Sequence, residues 1–341
     1  MRKYLKTIAL FLATICLAIV GISYLQPVLF RIFPSDLQRP LVINQVLTNK
    51  KTSPDMVIFG NSRVMFGINA KTIAAGIAQT GGSYEAVNLA GADQDIFESS
   101  YYYALVDSPV KVVVQFTTAG FLARDSDHKI EDYKCIPMYL GGYRINTQTE
   151  TLLPNYNPYF NRPEMVNLFE ARSYIRSYIF TFLQAFFDNE PKDLSRSRSL
   201  YFPHIYESDK SPDYPVQEYN CGKFKPTETP AKKFAFLKKV SAYFSKKNIQ
   251  YIVVFMPVNT DECKDAHKYA AKYSEQLKQK TGIAVIDLTG FLPSPEYYYD
   301  AFHMNKKGAE IVSAEVAKQL NLIINPEEKS SGKTVSEYVE Q

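Results

Sequence analysis

The chain predicts a three-layer α/β/α fold on three observations. Short apolar runs alternate with helix-length amphipathic segments, the signature of strands joined by crossover helices. Hydrophobic residues make up 46% and charged residues 22% of the chain, which specifies a packed core and excludes wholesale disorder. The length, 341 residues, is that of a large α/β domain with insertions. In order, the predicted strands are residues 55–60, 84–89 and 111–116. After a break come strands at 250–256 and 283–288. Predicted helices occupy 70–79, 95–107, 231–247, 265–280 and 305–320. Strands separated by helices imply a parallel sheet covered on both faces, here a flavodoxin-like sheet of about five strands.

Between the third and fourth strands the rhythm breaks. Residues 120–225 are rich in Tyr, Pro, Asn, Asp and Ser, with one aromatic helical stretch near 169–187, and read as a large insertion. The α/β domain is therefore expected at 53–320, followed by a polar, frayed tail at 326–341.

The N-terminus sets the compartment. Met1-Arg2-Lys3-Tyr4-Leu5-Lys6 is basic, and residues 7–25 form an uncharged run of 19, long enough to span the hydrocarbon core as a helix. A cleavable signal has a shorter apolar core and a small-x-small exit, whereas this exit reads Tyr24-Leu25-Gln26-Pro27. Basic residues before the run place the N-terminus in the cytoplasm and export the body. Residues 1–30 thus read as a transmembrane signal anchor with the domain periplasmic or otherwise extracytoplasmic; a cleaved signal peptide is the alternative. No second run of comparable length occurs.

Net charge is only +4, and the lysines are dispersed or lie on helix faces, so no basic stripe or nucleic-acid motif is present. Of four cysteines, Cys16 lies in the anchor. None forms a C-x-x-C pair, and no metal site or cofactor is expected. If a disulfide forms, it is Cys221–Cys263, both in polar turn-like sequence.

Two segments carry chemistry. Phe59-Gly60-Asn61-Ser62-Arg63 follows the first strand, and Tyr299-Asp300-Ala301-Phe302-His303-Met304-Asn305 lies between the last strand and the last helix. A hydroxyl becomes a useful nucleophile only beside a base whose tautomer a carboxylate fixes, so Ser62, His303 and Asp300 supply nucleophile, base and orienter. Ligands of parallel sheets bind beyond the carboxyl ends of the strands, where all three fall. Asn88 and Gly91 end the second strand at the same edge. Gly91 is either an oxyanion N–H donor or a turn residue, and Asn88 is an oxyanion or substrate contact, bonds the nucleophile loop, or simply ends its strand. Arg63 binds a substrate carboxylate or phosphate, or makes a structural ion pair. Ser62 and Asp300 have a simpler alternative as helix caps.

The arrangement resembles the SGNH (GDSL-type) hydrolase superfamily across most of residues 53–320. Gly60-Asn61-Ser62 matches its first block, Gly-Asp-Ser or a variant, and Asp300 with His303 matches its last, Asp-x-x-His. The resemblance implies a Ser62–His303–Asp300 triad and maps the second block's glycine to Gly91. The third block, Gly-x-Asn-Asp, is missing; Gln115-Phe116-Thr117-Thr118 stands in its place, leaving the asparagine oxyanion donor unassigned. In layout the chain is similar to the single-anchored alginate O-acetylation and D-alanine transfer group. The implied function is an anchored serine acyltransferase or esterase moving a small acyl group, acetyl first among them, on an envelope or secreted glycan. Its implied partners are that glycan or another acyl-acceptor polymer and a multi-spanning membrane protein that donates the acyl group. The alternative is a non-catalytic glycan-binding or assembly module of an envelope-modification complex.

Overall fold

The computed structural model describes residues 39–49, 53–78, 84–91, 94–107, 109–123, 143–153, 231–259, 266–299 and 302–325, with Met138 and scattered positions between 4 and 21. The chain divides into two compact units, Met1–Val46 with His128–Tyr201, and Leu47–Asp127 with Phe202–Gln341. Helix α1 spans Arg39–Thr48. In the first unit, α6 (Thr147–Leu152) is capped by Asn146, whose side chain accepts the Thr149 N–H, and Thr149 meets the Tyr143 hydroxyl at 3.1 Å. The aromatic stretch 169–187 and the tail 326–341 lie outside the described residues.

The second unit is an α/β fold on a five-stranded, all-parallel sheet. Its strands are β1 (Met56–Phe59), β2 (Ala86–Asn88), β3 (Val112–Thr117), β4 (Gln250–Phe255) and β5 (Ala284–Asp287), in the order β2-β1-β3-β4-β5. This is the flavodoxin-like order, with its switch point between β1 and β3. The central strands β1 and β3 are buried at every position and β4 at all but Gln250, as continuous apolar runs require. Register is explicit: Ile58 pairs with Asn88 on one side and Val114 on the other, and Gln115 pairs with Val253.

The helices fall into two groups, consistent with three layers. The β1-to-β2 connection runs the opposite way along the sheet from the later ones, so right-handed crossovers put its helices on the opposite face. Accordingly α3 (Ala70–Ala78) packs on α9 (Lys306–Ile324) so closely that a Cβ on Gly76 would sit 2.6 Å from the Ala317 Cβ. On the other side, α4 (Ile96–Tyr103) meets α7 (Ala231–Ser245) through Phe97–Phe236 at 4.8 Å and Tyr103–Phe244 at 5.3 Å. Helix α7 meets α8 (Ala266–Thr281) through Phe234 and Tyr273. Short α5 (Ala119–Ala123) follows β3.

One polar cluster inside this core is internally matched. Tyr103 donates to the Gln115 Oε1, meets the Tyr251 hydroxyl at 3.2 Å, and Gln115 Nε2 donates to the Phe116 carbonyl at 2.7 Å. Burial pushes both tyrosine hydroxyls well above their ordinary range, so they stay protonated donors. At the edge away from the strand carboxyl ends, Asp55 pairs with Lys111 at 2.7 Å and accepts the Glu85 N–H at 2.9 Å.

Three elements depart from the sequence expectation. The predicted helix at 95–107 stops at Tyr103, where Leu105 and Val106 bond three residues back in a turn that leads to Pro109. The last helix runs to Ile324, ending before Pro326. Ahead of the expected helix α3 lies a further short one, α2 (Ser62–Gly67), set off from it because Ile68 turns extended and Asn69 caps α3 by accepting from Lys71 and Thr72.

Candidate active site

Ser62 is the first residue of α2, at the carboxyl end of β1. Gly60 makes the exit possible: an added Cβ would lie 2.5 Å from a Val64 methyl and 3.2 Å from the Phe116 Cβ. Asn61 is the N-cap. Its side chain accepts the Arg63 N–H at 3.0 Å, and its carbonyl takes those of Val64 and Met65, each at 3.0 Å. The Ser62 N–H sits at a helix start, where no intrahelical acceptor exists, and no acceptor among the described residues takes it.

His303 reaches the same edge from the other end of the chain. Tyr298 and Met304 form an isolated antiparallel bridge, and the Tyr299 N–H donates to the His303 carbonyl at 2.7 Å. The buried Tyr298 hydroxyl anchors this loop on the Leu292 carbonyl at 2.8 Å. Asn305 fixes its exit: Oδ1 accepts the Gly308 N–H at 2.9 Å, capping α9, while Nδ2 donates to the Glu296 carbonyl at 2.7 Å. Gly308 lets the helix start press against the Tyr297 backbone, where any side chain would collide.

These elements bring His303 Nε2 to 2.9 Å from Ser62 Oγ across 241 residues of sequence. Both side chains are half-buried. Phe66 packs edge-on to the imidazole at 5.6 Å and Phe302 at 6.4 Å, limiting its rotation. With Nε2 as acceptor for the serine hydroxyl, the ring proton resides on Nδ1, where an orienting carboxylate belongs. Asp300, expected in that role, lies outside the described residues, as do Cys221 and Cys263.

The other expected residues do different work. The Gly91 N–H is donated to the Gly60 carbonyl at 3.0 Å, which corrects its reading as an open oxyanion donor and makes it a turn residue. Asn88 is buried; its two Nδ2 hydrogens go to the Val64 and Ile68 carbonyls, both at 2.9 Å, and its Oδ1 accepts the Ala90 N–H at 3.0 Å. An amide with both donors committed cannot also meet an oxyanion, so the substrate role is corrected to bracing α2. Arg63 lays its guanidinium over the Phe302 ring, 4.7 Å from the centroid. Among the described residues no group of three or more His, Cys, Asp or Glu side chains is placed to hold a metal ion.

Sequence reasoning assigned no role in the site to Asn61, Asn305, Phe66 and Phe302. The two asparagines carried a signal, since Asn immediately before a helical run is a preferred cap. The two rings carried none.

No model of a known family matches the chain, and no curated protein matches it.

Proposed function

We propose that this protein is a membrane-anchored, extracytoplasmic serine acyltransferase or esterase of the SGNH type, acting on an envelope or secreted glycan. The single observation that carries the reading is the 2.9 Å hydrogen bond between Ser62 and His303 at the carboxyl edge of a parallel sheet. Ser62 Oγ attacks the carbonyl carbon of the acyl donor as His303 Nε2 takes its proton. The tetrahedral oxyanion is met by the Ser62 N–H, aided by the α2 start. His303 then returns the proton to the leaving oxygen, giving acyl-Ser62. A sugar hydroxyl or water, deprotonated by the same imidazole, takes the acyl group. The sequence pattern assigns Asp300 to orienting the imidazole and stabilising the imidazolium. The acyl donor is a multi-spanning membrane partner, and no cofactor enters.

Anchoring rests on the uncharged run at 7–25 and its basic lead. Its described positions are helical, with Leu10, Phe11 and Leu17 exposed by 70%, 65% and 72%, and the Thr14 hydroxyl returns to the Leu10 carbonyl at 2.9 Å. Apolar surface on such a helix suits lipid. Among the described residues themselves, no helix is long and apolar enough to cross a membrane.

The missing third block, with Asn88 and Gly91 committed elsewhere, favours a second reading as a non-catalytic glycan-binding or assembly module. Hydrolysis of p-nitrophenyl acetate by the full chain, with and without an oligosaccharide acceptor, decides between them. The catalytic reading expects turnover that Ser62→Ala and His303→Ala both abolish. Turnover unchanged in Ser62→Ala, or none in wild type, leaves the module reading.

A further inference from the structure

We propose that Asn88 is a positioning residue that sets the angle and depth of the nucleophile helix, and so the Ser62–His303 distance. The inference rests on the catalytic reading above. Helix α2 has six residues, too few to hold itself in water, so its orientation comes from what grips it. Asn88 ends β2, beside β1, and its side chain leaves the sheet to bond α2. Nδ2 donates to the Val64 carbonyl, two residues after Ser62, and to the Ile68 carbonyl just past the helix end. Oδ1 is held in turn by the Ala90 N–H. Only this amide orientation satisfies all three groups; the flipped one sets oxygen against two carbonyls and NH2 against an N–H.

The same segment grips the chain ahead of the nucleophile. Leu89 donates to the Ile58 carbonyl at 2.7 Å and Gly91 to the Gly60 carbonyl at 3.0 Å. Residues 88–91 thus hold the turn on both sides of Ser62. Helix α2 also abuts the histidine loop: the Gly67 α-carbon lies against the side chain of Met304, the residue after His303, leaving no room for a Cβ. The helix is therefore gripped by Asn88 and in contact with the histidine loop, and releasing the Asn88 bonds lets Ser62 shift relative to Nε2. The sheet is held by its backbone ladders. The Asn88 amide therefore serves α2 and its own turn.

The test is the second-order rate of Ser62 labelling by a fluorophosphonate in the full-length protein, well below each variant's melting temperature. Labelling forms the Ser62 O–P bond, expels fluoride and passes the serine proton to His303, so it reads the pair directly. Asn88→Asp keeps an acceptor for Ala90 but loses both donors; Asn88→Ala loses all three bonds. Both are expected to fold and to label about 10- to 100-fold more slowly, as a displacement near 1 Å would cause. In p-nitrophenyl acetate turnover the loss should fall on kcat, with KM changed less than about twofold. Val240→Ala, a buried α7 truncation in the other helical layer, should lower the melting temperature yet label at the wild-type rate. Wild-type labelling with unchanged rates in both Asn88 variants overturns the proposal. So does failure of both to fold, which would make Asn88 a stability element of the whole domain. Absence of labelling in wild type removes the catalytic reading itself, and this inference with it.

Discussion

Replacing Asn305 by Ala should destabilise the fold at the point where the histidine loop joins its helix. Asn305 is 2% exposed and makes two side-chain hydrogen bonds, accepting the Gly308 N–H at 2.9 Å and donating to the Glu296 carbonyl at 2.7 Å. Loss of an N-cap costs about 1 kcal/mol. Stranding a part-buried carbonyl adds about 1–2 kcal/mol. The total, about 2–3 kcal/mol, corresponds to a fall of roughly 5–10 °C in Tm for a unit of this size. Asn305→Asp keeps the cap acceptor, so it should lose only the Glu296 bond, about 1–2 kcal/mol. The assay is urea and thermal unfolding followed by circular dichroism, with the midpoint shift read at constant m. Because His303 lies two residues before Asn305, Ser62 labelling should slow in Asn305→Ala as well. A shift below about 0.5 kcal/mol in Asn305→Ala, or an Asp variant as costly as Ala, would refute the capping argument.

Asp55 should make the fold acid-sensitive. Burial alone would raise its pKa, but the Lys111 hydrogen bond, the Glu85 N–H and the Lys111 charge outweigh it and hold the carboxyl below its ordinary 3.8. A lowered folded pKa contributes stability that is complete above about pH 4 and fades as pH falls through the folded value. The stability gap between wild type and Asp55→Asn should therefore narrow from pH 7 to pH 3; a constant or widening gap contradicts this. Asp300→Asn should lower kcat far more than KM while leaving residual turnover, whereas His303→Ala should leave almost none; equal, mild losses would show that Asp300 does not orient the base. A C-terminal reporter should be active only when exported, and a soluble mature chain starting near residue 27 would replace the anchor with a cleaved signal peptide.

The sheet was legible because β1, β3 and β4 are fully or almost fully buried, and burial on both faces writes itself as unbroken apolar runs. Ser62 and His303 were legible for a related reason: each follows a strand, and parallel strands deliver their ends to one edge. What remained hidden depended on single hydrogen bonds. Gly91 reads identically in sequence whether its N–H faces solvent or the Gly60 carbonyl. Asn88 reads equally as a substrate contact, a brace on the nucleophile loop or a strand end, since no local pattern decides whether its side chain reaches Val64 and Ile68. Helix α2 was not among the predicted elements, because six residues carry too little periodicity to announce a helix before Ile68 turns extended. Phe66 and Phe302 beside the imidazole arise from tertiary packing alone.

The most direct test of the catalytic account is the intact mass of the full-length protein after brief incubation with an activated acetyl ester, followed by peptide mapping. The account predicts a single added acetyl group on the peptide containing Ser62, absent from Ser62→Ala and accumulating most slowly in His303→Ala. An unmodified wild-type chain, or an acetyl group that persists in Ser62→Ala, would contradict it.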